Sequence, residues 1–251
     1  MPAAVNVFLS TQKLQQTQNM QQTLLGGYRN DFGKYTKKSM YQHLQFIFDR
    51  LPHFIAQQTK YVDIAPDLLS RDVKLALHKL SLAGLIYPVY ATSAGGLPLH
   101  SLINEKKFKL LFVDIGLVTI NARLDGDILV DPDFIAINRG MLAEQFVGQE
   151  LLAVADYFLP RDIFFWARDE KSSRAEVDYV IQVGSRIIPI EVKAGSLRPQ
   201  RLASLKIFMA EKNSQLGVHL SQQPLQCHGN IISVPLYMVS ELERLIAEQS
   251  V

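Results

Sequence analysis

Residues 176–193, EVDYVIQVGSRIIPIEVK, decide the fold of this chain. Apolar and polar side chains alternate on both sides of Gly184-Ser185, which predicts two half-buried strands joined by a two-residue turn. Pairing Val183 with Arg186 sets the register of the whole hairpin, and this register collects valine, isoleucine and tyrosine side chains on one face. One face of the hairpin is therefore predicted to belong to a protein core.

The polar face of the predicted hairpin carries an unfavourable pair. The same register places Asp178 opposite Glu191, and Glu176 opposite Lys193. Two carboxylates facing each other at roughly 5 Å repel and destabilise a hairpin. Either one of them holds a proton, or a cation lies between them, and the second case predicts a metal site. Two plainer alternatives stay open: a cross-strand Glu176–Lys193 ion pair, and a solvated sheet face for Asp178 and Glu191.

The spacing Asp178…Glu191-x-Lys193 is similar to the core of PD-(D/E)XK nucleases, in which these residue types hold a divalent ion and position a water molecule. Mg²⁺ takes oxygen ligands and is bound by only one or two protein carboxylates. A lysine beside the nucleophile or the phosphate stabilises the charge that develops there. The expected cofactor is Mg²⁺ on Asp178 and Glu191, with Lys193 as the catalytic cation.

A third carboxylate, Glu144, lies on a predicted amphipathic helix from about Gly140 to Ala155. Helical spacing places it on a stripe of apolar and glycine residues, where a charged side chain needs a polar partner. In nuclease-type cores the helix before the sheet supplies an acid to the same cluster, so Glu144 is the candidate for that role. The alternative is that Glu144 pairs with a basic side chain such as Lys193.

Composition excludes several other classes of site. The chain has 251 residues and a net charge of +2, so it lacks the clear basic excess of many obligate nucleic-acid binders. The single Cys227 excludes an internal disulfide framework and cysteine-based zinc sites, and the six histidines show no paired ligand spacing. No G-x-x-x-x-G-K-[ST] phosphate loop occurs, so we expect no bound nucleotide and no ATPase activity from this chain alone.

No charge-free stretch of some 18 apolar residues occurs, and the N-terminus lacks the pattern of a signal peptide. We therefore expect a cytoplasmic protein with no membrane partner.

Three segments are predicted along the chain. Residues 1–40 form a helical remnant or linker rich in glutamine. Residues 41–104 read as helices followed by two short strands, the order of a winged helix, with a recognition helix that presents Arg71 and Lys74. Residues 105–251 form an α/β domain, in which the order from Glu144 is helix, three strands, helix, strand. The predicted fold class is thus α/β, a mixed sheet flanked by helices and preceded by a winged-helix-like segment.

Taken together, a set of short segments resembles the domain of unknown function that follows an AAA-type ATPase module in a large prokaryotic family. These segments are MPAAV, YRNDFGKY, LPHFI, SLAGLIYPV, FVDIGL, GMLAEQFVGQEL, FFWARD, EVDYVI, PIEVKAG and VPLYMV. The resemblance covers nearly all of the chain. It implies a winged-helix-like segment followed by a PD-(D/E)XK nuclease-like fold, with Glu144, Asp178, Glu191 and Lys193 as the site residues and Glu176 as a supporting residue.

The chain differs from that family because it starts about where the ATP-binding domain of its members ends. A truncated relic, a misassigned start and a domain used alone are the three explanations to consider. Three functions follow as hypotheses: Mg²⁺-dependent cleavage of nucleic-acid phosphodiesters, a non-enzymatic interaction or regulatory module, and a winged-helix DNA-binding protein. The expected partners are nucleic acid, a separate ATPase, or a second copy of this chain.

Overall fold

The computed structural model describes residues 1–34, 36–122, 132–154, 158, 162–168, 175–195 and 202–249, with all their side chains except those of residues 38, 39 and 132–139. The chain divides into two compact units. The first comprises Met1–Pro88 and Lys109–Arg139, and the second comprises Val89–Phe108 and Gly140–Val251. The carboxylates and the lysine predicted to form the site all belong to the second unit.

The first unit is mainly helical. Its helices are α1 (Pro2–Thr11), α2 (Leu14–Asp31), α3 (Lys38–Arg50), α4 (Tyr61–Ile64), α5 (Ser70–Leu82) and α6 (Ile115–Asn121). Helix α7 (Pro132–Ala153) begins in the first unit and continues in the second. Among the described residues, no helix is long and apolar enough to cross a membrane.

Phe48 on α3 lies at the centre of the first unit's core. It is fully buried, and its ring contacts those of Phe32 and Phe112, with centroids 5.4 and 5.7 Å away. Its carbonyl oxygen accepts a hydrogen bond from the buried amide of Asn121, which in turn accepts one from Arg29. A buried polar side chain must be hydrogen-bonded to be tolerated, and this network satisfies Asn121 while joining α2, α3 and α6.

Asp114 caps helix α6. Its carboxylate accepts a hydrogen bond of 2.7 Å from the backbone N–H of Gly116 at the start of α6. An aspartate in this position satisfies one of the amides that have no partner in the first turn of a helix. The same carboxylate pairs with the N-terminal ammonium group of Met1, so Asp114 has a structural role in the first unit.

Eight strands form one mixed sheet in the described part of the chain. The order is β2-β1-β3-β4-β5-β6-β8-β7. The strands are β1 (Ile86–Thr92), β2 (Ile103–Phe112), β3 (Phe164–Ala167), β4 (Glu176–Val183), β5 (Arg186–Lys193), β6 (Gly217–Ser221), β7 (Gln226–His228) and β8 (Ile231–Pro235). Two further helices, α8 (Ala203–Glu211) and α9 (Leu242–Glu248), follow β5 and β8. The fold is therefore a mixed α/β fold with helices flanking the sheet.

The predicted hairpin is confirmed as the centre of this sheet. Strands β4 and β5 pair antiparallel with the predicted register, from Val183–Arg186 to Tyr179–Ile190. Strand β5 then pairs parallel with β6, and β6 pairs parallel with β8. Because parallel register partners direct their side chains to the same face of a sheet, polar residues on β5, β6 and β8 can form a row across the strands.

Helix α8 covers the sheet face that carries this row at one end. Gly217 is the register partner of Ile231, and a Cβ built on Gly217 would lie 2.7 Å from the sulfur of Met209 on α8. Leu205 of α8 packs in the same cluster as Ile231. The close approach of helix and strand explains why glycine occupies position 217.

Of the two strands predicted to form a wing, the first lies in the large sheet as β1, whereas the second, at residues 97–102, is wrong because Leu99–Leu102 form a 3₁₀ helix that precedes β2. Strand β1 pairs parallel with β3 through Tyr90–Phe164 and Ala91–Phe165, and β2 is the neighbour of β1. Alternation of side chains indicates a strand but does not identify its partner, so the sequence could not show this pairing. The predicted segments 1–40, 41–104 and 105–251 stay a prediction.

We predict opposite effects for two glycine-to-alanine substitutions in the first unit. A Cβ on Gly116 would lie 2.6 Å from Nε2 of Gln21 and 2.8 Å from Oδ1 of Asp114. Gly116→Ala should therefore lower the free energy of unfolding by about 1–3 kcal/mol. Nothing lies within 4 Å of a Cβ on Gly27, inside helix α2. Because alanine favours a helix more than glycine does, Gly27→Ala should raise the free energy of unfolding by about 0.5–1 kcal/mol. Urea denaturation of both variants measures the difference, and equal effects would contradict this packing.

Candidate functional site

The carboxylate of Asp178 is held at the open end of the β4–β5 hairpin. Its Oδ2 atom accepts a hydrogen bond of 2.8 Å from the backbone N–H of Val192. This contact ties the side chain of one strand to the main chain of the next, just beyond the last register pair, Tyr179–Ile190. A charged acceptor strengthens such a bond, so Asp178 has a defined position beside Glu191.

The carboxylate of Glu191 is buried and paired with Lys193. The side chain of Glu191 is only 7% exposed, and its Oε1 atom lies 2.6 Å from Nζ of Lys193, which is 37% exposed. A cation beside Glu191 is thus present within the protein itself, as the ammonium group of Lys193. A buried carboxylate requires such a partner, because removing an unpaired charge from water costs roughly several kcal/mol.

Lys193 interacts electrostatically with all three predicted carboxylates. Burial lowers its pKa, but the charges of Asp178, Glu191 and Glu144 and the hydrogen bond to Glu191 together raise the pKa above the usual lysine value. The ammonium form is therefore retained throughout the neutral range. The structure brings the four predicted site residues into one electrostatic cluster, even though they come from three different elements.

Tyr179 connects Glu144 to the sheet. The tyrosine is buried on β4, and its hydroxyl donates a hydrogen bond of 2.8 Å to the main-chain carbonyl oxygen of Glu144 on α7. Burial raises the pKa of this phenol well above its usual value, and the charges of Glu144 and Asp178 raise it further. Tyr179 consequently stays a neutral donor, and it determines where helix α7 presents Glu144.

A polar row that the sequence analysis missed continues from Glu191 across the sheet. Glu191 is the register partner of His219 on β6, and His219 is the register partner of Ser233 on β8. His219 and Ser233 are both fully buried, and Nδ1 of the imidazole lies 3.1 Å from the hydroxyl oxygen of Ser233. Strands this deeply buried are normally apolar, so a histidine and two serines within GVHLS and IISVP were the available signal.

His219 is uncharged near neutral pH. Burial and the nearby positive charge of Lys193 lower its pKa from 6.5 to about 4. The Nε2 atom is buried and has no hydrogen-bond partner within the described residues. A neutral imidazole on β6 therefore lies beside the carboxylate of Glu191 and near the ammonium group of Lys193, both on β5.

The donor atoms fit a Mg²⁺ ion in type. Asp178 and Glu191 provide hard carboxylate oxygens on neighbouring strands, and one or two such ligands are what Mg²⁺ takes from proteins. Within the described ranges, no group of three or more histidine, cysteine, aspartate or glutamate side chains is arranged to hold a metal ion. A site on Asp178 and Glu191 would thus consist of two protein ligands, completed by water or substrate.

Glu176, the predicted supporting residue, is the first residue of β4, on the strand that pairs with β3. It is the register partner of Ala167 on β3, and its backbone N–H donates to the hydroxyl of Ser204 at 3.4 Å. The ion pair at Lys193 is made with Glu191, where the sequence left open a pair with Glu176.

The fold and this cluster define a mixed α/β protein with paired carboxylates and a lysine at the open end of its central hairpin. The family model for a domain of unknown function, DUF8612, matches residues 1–127, just over half of the 251 residues, and the chain belongs to this family. A second model for a domain of unknown function, DUF4143, matches residues 139–238 and includes all four predicted site residues.

Among solved structures, the chain is similar to protein VC1899 from Vibrio cholerae, at 12% identity and a TM-score of 0.32. The similarity covers 85% of this chain and 57% of that protein, so this chain matches little more than half of the length of VC1899. A search of curated proteins found no match.

We predict that Tyr179→Phe lowers the free energy of unfolding by about 1 kcal/mol, because the partly buried hydrogen bond to the carbonyl oxygen of Glu144 is lost. Tyr237 provides the control, since its side chain is 81% exposed and Tyr237→Phe should have no measurable effect. Urea denaturation of both variants makes the comparison. Equal stabilities of the wild type and Tyr179→Phe would show that this bond does not hold α7.

We also predict a pH dependence of stability caused by His219. A histidine whose pKa is lowered in the folded state stabilises the protein fully above pH 6.5, and this contribution is lost as the pH falls toward 4. Between pH 7.5 and pH 4.5 the free energy of unfolding of the wild type should fall by about 2–3 kcal/mol more than that of His219→Gln. Denaturation in buffer with EDTA measures this loss, and His228→Gln is the control because His228 is exposed. A wild-type loss equal to that of His219→Gln would contradict the prediction.

Proposed function

We propose that the second unit cleaves nucleic-acid phosphodiester bonds with Mg²⁺, through a PD-(D/E)XK nuclease-like site. The observation that supports this function best is the Glu191–Lys193 ion pair, in a cluster where the charges of Asp178, Glu191 and Glu144 all act on the ammonium group of Lys193. Three carboxylates and a lysine at the end of a central hairpin are the groups that metal-assisted phosphodiester hydrolysis requires. Perturbed titratable groups in one cluster also favour a functional site.

Each residue has a defined role in this proposal. Asp178 and Glu191 hold the metal, and the backbone N–H of Val192 orients Asp178. Bound Mg²⁺ would supply a nucleophilic water and neutralise phosphate charge. Lys193, which keeps its proton and is partly exposed, orients the attacking water or stabilises the phosphate. Glu144 completes the acidic cluster from helix α7, at the position that Tyr179 gives it.

A second candidate is a non-enzymatic interaction or regulatory module. The observation that favours it is the Lys193–Glu191 ion pair, because an internal cation already neutralises the buried carboxylate without a metal ion. In this case the partner would be a separate AAA-type ATPase or a second copy of the chain. For either candidate we propose a cytoplasmic location, which the single, exposed cysteine supports.

We predict that the purified full chain cleaves single- or double-stranded DNA or RNA in the presence of Mg²⁺ or Mn²⁺, and not in EDTA. Asp178→Asn and Glu191→Gln each remove a ligand charge and keep the shape of the side chain. Each should lower the cleavage rate by at least about 100-fold, in the range found for the loss of a group that stabilises the transition state. Gel analysis of labelled substrates gives the rates.

Matched variants distinguish the site from general charge effects. Lys193→Met should abolish cleavage, whereas Lys106→Met, at an exposed position of β2 in the same unit, should not change it. Metal-dependent cutting that survives Asp178→Asn would indicate a contaminating nuclease. No cutting by the wild type, together with co-purification of an ATPase or with self-association, would favour the interaction module.

A further inference from the structure

The buried imidazole of His219 has a hydrogen-bond partner at one ring nitrogen, and the other ring nitrogen has none among the described residues. Its exposed fraction is 0%, Nδ1 lies 3.1 Å from the hydroxyl of Ser233, and Nε2 has no hydrogen-bond partner within the described ranges. A buried nitrogen without a partner destabilises the fold relative to a hydrogen-bonded one. Such an atom in the middle of a sheet therefore requires an explanation.

The position of His219 connects it to the Glu191–Lys193 ion pair. Glu191 is its register partner on β5, and Lys193 is the register partner of Ser221, two residues further along β6. All these side chains extend from the same face of the sheet, so Lys193 is a diagonal neighbour of His219. The charge of Lys193 acts on the imidazole, because it contributes to the lowered pKa of His219.

This arrangement favours one tautomer of the neutral ring. Ser233 can accept a hydrogen bond from Nδ1–H, since a hydroxyl oxygen is both donor and acceptor. A nearby cation stabilises a nitrogen that presents its lone pair and destabilises one that presents a proton. With Nδ1 bound to Ser233, Nε2 is the nitrogen that remains for Lys193, and it carries the lone pair.

We propose that His219 is a positioning residue of the Asp178–Glu191–Lys193 site, whose Nε2 accepts a hydrogen bond from the ammonium group of Lys193 when Glu191 turns to another ligand. In the present structure Oε1 of Glu191 is the acceptor, at 2.6 Å from Nζ. The same oxygen cannot fully serve both Lys193 and a cation. His219 provides the second acceptor, so Lys193 stays charged and in place while Glu191 is engaged.

The inference deepens the proposed function and rests on it for the identity of the ligand, Mg²⁺ or Mn²⁺. His219 itself is not proposed as a ligand, because the described residues contain no group of three potential metal ligands. Its partners explain the polar row across β5, β6 and β8: Ser233 holds the ring, the ring supports Lys193, and Lys193 faces the carboxylates.

Nuclear magnetic resonance tests the proposal without any measurement of cleavage. Two-bond ¹H–¹⁵N spectra of the full chain, assigned with His219→Gln, should show a neutral His219 with its proton on Nδ1 and a bare Nε2. Glu191→Gln removes the competing charge, so the Nε2 resonance should move toward the hydrogen-bonded position. Adding Lys193→Met to the Glu191→Gln variant removes the donor and should return this resonance to its bare position. A proton on Nε2 in the wild type, an Nε2 resonance that does not move in folded Glu191→Gln, or one that does not return in the folded double variant, would overturn the proposal.

Two isosteres of the histidine test the role in activity. Glutamine places its amide near the position of Nε2, whereas asparagine places it near Nδ1. If Nε2 supports Lys193, His219→Gln should retain most of the cleavage rate, and His219→Asn should lose about tenfold or more, the typical effect of removing a partner of a metal-site residue. A purely structural role toward Ser233 predicts the reverse order, and that result would overturn the inference.

If the proposed function is wrong, the cleavage and resonance measurements give a different combination of results. In that case the wild type shows no metal-dependent cleavage, while the tautomer of His219 and the response of Nε2 to Glu191→Gln still decide whether the imidazole supports Lys193. A bare Nε2 that responds to Glu191→Gln supports the positioning role for any ligand that engages Glu191.

Discussion

The ion pair between Lys193 and the buried carboxylate of Glu191 is the interaction on which the site depends. Lys193 lies 2.6 Å from the buried carboxylate of Glu191 and compensates its charge. Lys193 retains its proton because the charges of Asp178, Glu191 and Glu144 raise its pKa. The position of the pair follows from the register of a single hairpin. The neutral state of His219 follows partly from the same cation, so one charge organises groups on neighbouring strands and on helix α7.

Much of this arrangement could be predicted from the sequence, because alternation within residues 176–193 determines a register when one face is apolar. The hairpin and its register follow from this short-range pattern. The pairing of β1 with β3 could not be predicted, since it joins Tyr90 to Phe164 across a long separation in sequence. His219 was missed because its neighbours on the sheet, Glu191 and Ser233, lie on other strands, and sequence spacing within one strand does not show them.

The polar row has a cost that an ordinary structural sheet would avoid. Apolar residues at positions 191, 219 and 233 would fill a buried sheet without desolvating a carboxylate or an imidazole. The sheet instead keeps an acid, a histidine and a serine in register, and the acid is adjacent to a lysine that is partly exposed. A charged group at the border between the interior and solvent is where a ligand can exchange with an internal partner, and this is the basis of the function proposed for the second unit.

The most direct test of this account is calorimetric titration of the purified full chain with Mn²⁺, compared with the same titration of Asp178→Asn. The account predicts saturable binding of one ion per chain, and a loss of about tenfold or more in affinity when the carboxylate is removed. No uptake at millimolar Mn²⁺, or uptake that is unchanged in Asp178→Asn, would contradict it. Lys193 would then be the permanent partner of Glu191, and the cluster would be a structural element of the sheet.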